Sequence, residues 1–168
     1  MTQQQTRKAI YESDKGWSDR FIEEVKIKLA PFLFNEASFY EDANHCTDLM
    51  TYESRPLRIA VRIRRNKYMA FKDEITIRCG RMTNVMTEAE KIASGWGDLM
   101  IYGICDATET CLALWHIIDL SEFRRWFLRN WFRIDKCRVQ TNADGTQFFA
   151  IKIMELPTDA IVAKGVAA

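Results

Sequence analysis

The stretch PLRIAVRIRR, residues 56–65, decides the fold, because its side chains alternate between apolar and mostly basic. Ile59, Val61 and Ile63 fall on one side of an extended chain, and the basic residues fall on the other side. The arginines on that second side are Arg58, Arg62 and Arg64. The pattern predicts a strand with one face in the core and one charged, accessible face.

A second stretch, EITIRC at residues 74–79, alternates in the same way. Its inward side chains are Ile75 and Ile77, and its outward side chains are Glu74, Thr76 and Arg78. We expect the two stretches to pair as a β-hairpin. Such pairing would gather Arg62, Arg64 and Arg78 on one face of a sheet, with Glu74 among them.

Local signals mark the limits of several other elements. Thr87, followed three residues later by Glu90, is the pattern of a helix capping box. The pair Asp144-Gly145, between two strand-like runs, predicts a hairpin turn. Pro31 should end or kink the first helix, because proline cannot donate a backbone hydrogen bond.

The order of the predicted elements is α, β, β, β, α, β, β, α, β, β. This order predicts an α+β fold, close to α/β, with a central mixed β-sheet flanked by helices. The length favours a single domain over residues 1–168. Residues 1–14 are polar and are expected to be flexible, and residues 158–168 are expected to form a C-terminal tail.

The charge of the chain is concentrated in two segments. The formal net charge is only +1, but residues 55–81 carry +7 and residues 124–138 carry +5. Positive charge gathered in this way predicts an anionic partner, DNA or RNA above all. No apolar run approaches the roughly 20 residues that a membrane helix needs, so we expect no membrane partner.

The cysteines and histidines argue against a zinc site. The five cysteines never occur as CxxC, and the chain has only two histidines. Scattered cysteines of this kind are typical of a reduced, cytoplasmic protein. His116 lies in the apolar run LALWHII, residues 112–118, and is expected to be a core histidine with its hydrogen bonds satisfied.

Eight basic residues are the candidates for contact with nucleic acid. They are Arg58, Arg62, Arg64, Arg65, Arg78, Lys91, Arg125 and Arg129. A guanidinium group matches the oxygens of a phosphate group, and neighbouring aromatic rings in FRRWFLRNWFR, residues 123–133, could stack on bases. Two alternatives stay open: a solvated sheet face whose arginines are neutralised by local carboxylates, and an aromatic stripe that packs in the core.

Several short motifs resemble the core of the PD-(D/E)XK nuclease superfamily, and small phage-encoded members in particular. The motifs are Asp48-Leu49, AVRIRR at 60–65, TIR at 76–78, TEAEKIASGWGD at 87–98 and Tyr102-Gly103. In this family an aspartate and an acidic-x-Lys triplet hold a divalent metal ion that activates water. The triplet that aligns here is Ala60-Val61-Arg62, so the second motif is degenerate.

On this resemblance the candidate catalytic set is Asp48, Glu74 and Arg62. Glu74 does not stand at the family position and is a replacement carboxylate, for which Glu53, Glu23 and Glu24 are alternatives. Asp48 and Glu74 would hold Mg²⁺ for phosphodiester hydrolysis. The resemblance equally allows a degenerate member that binds nucleic acid without cutting it. The alternative function is a phage-type interaction module that inhibits a host nucleic-acid-handling complex without catalysis. A phage-encoded protein would act in the host cytoplasm.

Overall fold

The computed structural model divides the chain into two compact units, 1–57 and 58–168, where the sequence predicted one domain. The residues that the structure describes are 3–33, 35–36, 49–50, 57–81 and 85–166.

The described residues of the first unit form two helices and a two-stranded antiparallel ladder. The helices are α1 (Gln3–Asp19) and α2 (Ile22–Leu33), and the strands are β1 (Asn35–Glu36) and β2 (Leu49–Met50). Residues 3–14, for which we expected a flexible terminus, lie within α1. In α2, Val25 and Leu29 are buried one turn apart, so they lie on the same face of the helix. The prediction that Pro31 ends the helix is wrong, because α2 continues to Leu33 and carries the proline in its last turn.

The second unit contains seven strands and two helices. The strands are β3 (Ile59–Arg64), β4 (Glu74–Gly80), β5 (Leu99–Cys105), β6 (Leu112–Asp119), β7 (Val139–Thr141), β8 (Gln147–Lys152) and β9 (Ile161–Val166). The helices are α3 (Glu88–Ala93) and α4 (Leu120–Arg138), and short 3-10 helices span Asn66–Phe71, Ile153–Glu155 and Thr158–Ala160.

The strands of this unit form two sheets. The first sheet has the order β3-β5-β6-β9, in which β3 is parallel to β5 and the other pairs are antiparallel. The second sheet is antiparallel, with the order β4-β8-β7. The predicted α+β class with a central mixed sheet is therefore confirmed.

The predicted hairpin between the first two long strands is wrong. β3 pairs with β5, and β4 pairs with β8 in the other sheet. The reason lies in β5, whose residues Met100 to Cys105 are all buried. A strand that is apolar on both faces is stable in the middle of a sheet, and β3 and β6 supply its two neighbours. The 3-10 helix Asn66–Phe71 then leads the chain from β3 to the second sheet.

The predicted C-terminal tail is also wrong for most of its length. Residues 161–166 form β9 and pair with β6, so that Trp115 lies opposite Gly165 and His116 lies opposite Lys164. The burial of β9 alternates between half-buried and exposed residues, as expected for a strand at the edge of a sheet. The Asp144-Gly145 turn between β7 and β8 is confirmed, with Gly145 at φ 78°.

Aromatic side chains of α4 pack in the core beside the second sheet. The ring of Phe123 stacks on Phe127 at 5.5 Å, and Phe127 meets the ring of Phe149 edge-on at 5.7 Å. All three side chains are fully buried, together with Ile75 and Ile151. The core-packing alternative is thus correct for this part of the helix, while the side chains of residues 131–138 lie outside the described set.

Helix α3 starts with the predicted capping box. The Thr87 hydroxyl accepts a hydrogen bond from the backbone amide of Glu90, and the Glu90 carboxylate accepts one from the backbone amide of Thr87. Gly95 follows the helix at φ 90°, a conformation that glycine adopts readily. The box fixes the start of the helix, and with it the position of Glu88.

We predict that Thr87→Ala lowers the free energy of unfolding by about 1 kcal/mol, because one end of α3 loses its side-chain cap. Urea denaturation followed by circular dichroism measures this change. The control is Thr87→Ser, which keeps the hydroxyl and should stay close to the wild type. Equal stability of the alanine and serine variants would contradict the role of the cap.

Candidate functional site

The basic face of β3 meets the second sheet rather than open solvent. In the first sheet, Arg62 lies beside Tyr102 and Arg64 lies beside Ile104. The Arg64 guanidinium donates a hydrogen bond to the Thr76 hydroxyl of β4, and this hydroxyl lies 3.3 Å from the Tyr102 hydroxyl. Side chains of β3 and β4 therefore come together as expected. They do so because the two sheets face each other, and not because the two strands pair as a hairpin.

Four of the eight basic residues that were predicted to contact nucleic acid are ion-paired. The four pairs that involve candidate arginines are Arg58–Asp98, Arg62–Glu88, Arg65–Glu109 and Arg125–Glu122. The Arg62–Glu88 pair is the least exposed of them, since its side chains keep 29% and 19% of their accessible surface. For these four arginines the structure agrees with the alternative of neutralisation by local carboxylates.

Glu88 joins two arginines of the predicted face. Its carboxylate binds the Arg62 guanidinium and accepts a hydrogen bond of 3.1 Å from the backbone amide of Arg78. Burial lowers the pKa of the Arg78 guanidinium, and the nearby cations Arg62 and Arg81 lower it further. The charges of Glu88 and Asp144 act in the opposite direction. The Arg78 guanidinium thus lies near enough to two cations and two anions for their charges to affect its pKa.

An open pocket of about 100 Å³ lies between the two sheets. Four of its ten lining side chains are aromatic and two are aliphatic, and the others are one cation, one anion and two neutral polar groups. The lining residues are Arg64, Tyr68, Phe71, Glu74, Thr76, Tyr102, Ile104, Gln140, Phe148 and Ala150. Phe71 is 59% exposed and lies at the rim.

Arg64 differs from the other candidate arginines. Its guanidinium carbon lies 4.2 Å from the centroid of the Tyr68 ring, an arrangement that favours a cation. Within the described part of the chain no carboxylate forms an ion pair with it, and its hydrogen bond goes to the neutral Thr76. Arg64 therefore retains donors that an incoming anion can use.

Glu74 is the anion of the pocket. It stands opposite Lys152 in the register of β4 and β8, but the two side chains form no ion pair. Across the described residues, no hydrogen bond or ion pair involves its half-buried carboxylate. This group is therefore free to bind a donor that enters the pocket.

The metal site implied by the resemblance finds no support among the described residues. Asp48 lies outside them, and no group of three or more His, Cys, Asp or Glu side chains within them could hold a metal ion. Glu74 shares its pocket with a guanidinium group and four aromatic rings, whereas Mg²⁺ prefers several oxygen ligands. These donors do not fit the metal, and the assignment of Asp48 stays a prediction.

Two other candidate residues lie away from the pocket. Lys91 is exposed on α3, and Arg129 is exposed on α4, and neither lines the cavity. The aromatic residues of the site, in contrast, were missed from the sequence. Tyr68 and Phe71 belong to the segment KYMAF, which looked only like a connection, yet their spacing of three places both on one side of a 3-10 helix.

His116 occupies an unusual position beside the pocket. The register of the first sheet sets it in one row with Arg62, Tyr102 and Lys164. Its Nδ1 atom is buried and has no hydrogen-bond partner among the described residues, so the expectation of a satisfied histidine is wrong. Burial lowers the pKa of His116 and the charge of Lys164 lowers it further, while Asp73 raises it.

No helix among the described residues is long and apolar enough to cross a membrane. Comparison with protein-family models, with curated proteins and with solved structures found no match for this chain. The resemblance to the nuclease superfamily therefore stays a prediction.

We predict that the protein loses stability as the pH falls from 7.5 to 5.5. The unfolded chain takes up a proton on His116 near pH 6.5, whereas the folded protein resists it because its pKa is lower. Urea denaturation at the two pH values measures the loss. In His116→Gln the loss should be smaller, and an unchanged pH dependence would contradict the interpretation.

Proposed function

We propose that this protein binds single-stranded nucleic acid and that the pocket between the two sheets receives one unpaired base. The observation that carries the proposal is Arg64, a cation without a carboxylate partner in the described part of the chain, stacked on Tyr68 in an open aromatic pocket. Aromatic rings combined with a cation that binds phosphate are the usual means of holding single strands.

The aromatic lining supplies surfaces on which a base can stack. Phe71 is exposed at the rim, and Phe148 of β8 lines the same cavity. Stacking of one base on an aromatic side chain contributes about 1–3 kcal/mol and tolerates every base, because each has a π face. A base within a duplex is already stacked and paired, so the pocket favours single strands.

The cations near the pocket supply contacts for phosphates. Arg64 has a planar guanidinium group, which binds phosphate oxygens through two parallel hydrogen bonds. Arg78 follows Thr76 on the same face of β4, and Arg81 is exposed just beyond the strand. A strand whose base occupies the pocket can therefore place its next phosphates near Arg78 and Arg81.

The binding of double-stranded nucleic acid to a broad basic face has less support than the binding of a single strand in the pocket. Arg58, Arg62 and Arg65 are already paired with carboxylates, and breaking such pairs costs part of what a phosphate contact contributes. Metal-dependent cleavage is not part of the proposal, because the described donors do not fit a magnesium site. The proposed activity is binding by stacking and by a few guanidinium–phosphate contacts.

We predict that Arg64→Ala weakens the binding of a short, fluorescently labelled single strand by about tenfold, as expected for the loss of one charged hydrogen-bonding group. Fluorescence anisotropy at low salt measures the dissociation constant. The control Arg125→Ala removes the same charge from α4 at a residue that pairs with Glu122 and does not line the pocket. It should bind nearly as well as the wild type.

Phe71→Ala tests the same pocket without altering an ion pair or a buried side chain. It should weaken binding by at least fivefold, because the base loses a stacking surface. Leu128→Ala, at another exposed apolar residue on α4, is the matched control. Equal affinities for all four variants and the wild type would exclude the pocket as the binding site.

We also predict a shallow dependence of binding on salt. Each phosphate contact with a single strand contributes a slope of about −0.7 to log K against log[salt]. Contacts from Arg64, Arg78 and Arg81 would therefore give a slope between about −0.7 and about −2. A slope near −5 would indicate many phosphate contacts and would contradict binding through this pocket.

A further inference from the structure

The pocket holds one feature that base stacking does not explain, namely the carboxylate of Glu74. Glu74 lines the cavity beside Phe71 and Thr76, and no ion pair to Lys152 occupies it. A half-buried carboxylate next to stacking surfaces discourages most bases, because it repels their acceptor atoms. It therefore has the properties of a group that selects between bases.

We infer that Glu74 selects guanine as the base in the pocket, an inference that rests on the proposed function. An ionised carboxylate only accepts hydrogen bonds, and it has two oxygens side by side. The Watson–Crick edge of guanine offers two adjacent donors, N1–H and the N2 amino group. The two edges match, so both carboxylate oxygens obtain a partner.

The other bases match this carboxylate less well. Adenine and cytosine each present one amino donor next to a ring nitrogen that accepts, and this acceptor would face a carboxylate oxygen. Uracil and thymine present one N–H between two carbonyl acceptors. Each of these bases would leave one carboxylate oxygen against an acceptor, which costs free energy in a partly buried site.

The two charged groups of the pocket are held at different positions along β4. Glu74 and Thr76 are alternate residues on one face of β4, so their Cα atoms are roughly 6–7 Å apart along the strand. Thr76 holds the Arg64 guanidinium. The anion and the cation therefore lie at successive positions along the pocket, so that a base edge can meet Glu74 while a phosphate meets Arg64.

The test uses four labelled oligonucleotides that differ only in one central base, guanine, adenine, cytosine or uracil, within a uridine octamer. The full-length protein should bind the guanine oligonucleotide about 5- to 100-fold more tightly than the others, the range expected for one bidentate pair. Glu74→Gln should remove most of this preference, because an amide offers one donor and one acceptor.

The matched control is Asp73→Asn, which makes the same change of charge at an exposed neighbour that does not line the pocket. It should keep the preference for guanine. Circular dichroism and thermal unfolding of each variant confirm that the fold is retained. A loss of preference in both variants would indicate a general effect of charge and would overturn the role of Glu74.

The outcomes separate this inference from the proposed function. Equal binding of all four oligonucleotides, with affinity still sensitive to Arg64→Ala, overturns guanine selection and leaves the proposed function intact. A preference for another base also overturns it. If the folded protein binds none of the oligonucleotides at low salt, the proposed function and the inference both fail.

Discussion

The central strand β5 is the constraint on which the second unit depends. Its side chains are buried on both faces, so it needs a hydrogen-bonded neighbour on each side and cover above and below. β3 and β6 fill the two neighbouring positions. β4 does not take the free edge of β3 but joins a different sheet, and the two sheets face each other. The pocket lies at this junction and would not exist if β3 and β4 formed a hairpin.

The charges of the site follow from the same arrangement. Arginines at the end of a half-buried sheet face repel one another, and helix α3 brings Glu88 to the place where Arg62 and Arg78 come close. Elsewhere, Asp98 and Glu109 neutralise Arg58 and Arg65. Arg64 lies further along β3, beside an aromatic ring and a hydroxyl group. The chain thus leaves a single guanidinium group of this strand for a ligand.

The sequence predicted the features of the fold that depend on neighbouring residues. The capping box at Thr87, the turn at Gly145 and the alternation in β4 all depend on local geometry, and all are present. In β3 the predicted alternation is only partial, because Ile63 is buried but Ile59 and Val61 are half-buried. The pairing of β3 could not be predicted, because alternation indicates the faces of a strand but not its partner. For the same reason β9 was mistaken for a tail.

The candidate site was predictable only in part, because the sequence pattern does not show which distant residues come into contact. Arg64 and Glu74 were identified from the pattern of charge, since charged residues on strands are visible in the sequence. Tyr68, Phe71 and Phe148 were not, because an aromatic residue in a connection or a strand looks the same whether it fills the core or lines a cavity. The neutralising role of Glu88 and Glu109 depends on contacts between distant segments, which no spacing reveals.

The pairing of β9 with β6 has a consequence for how the second unit assembles. Helix α4 and the β7–β8 hairpin lie between these strands along the chain, so the hairpin can form from local contacts while β6 still lacks one neighbour. Contacts between distant residues form slowly, because a long loop must close first. Until β9 arrives, β6 presents an open edge with the apolar residues Leu114 and Ile117 exposed to other chains. Newly made or truncated chains should therefore be the species that aggregates.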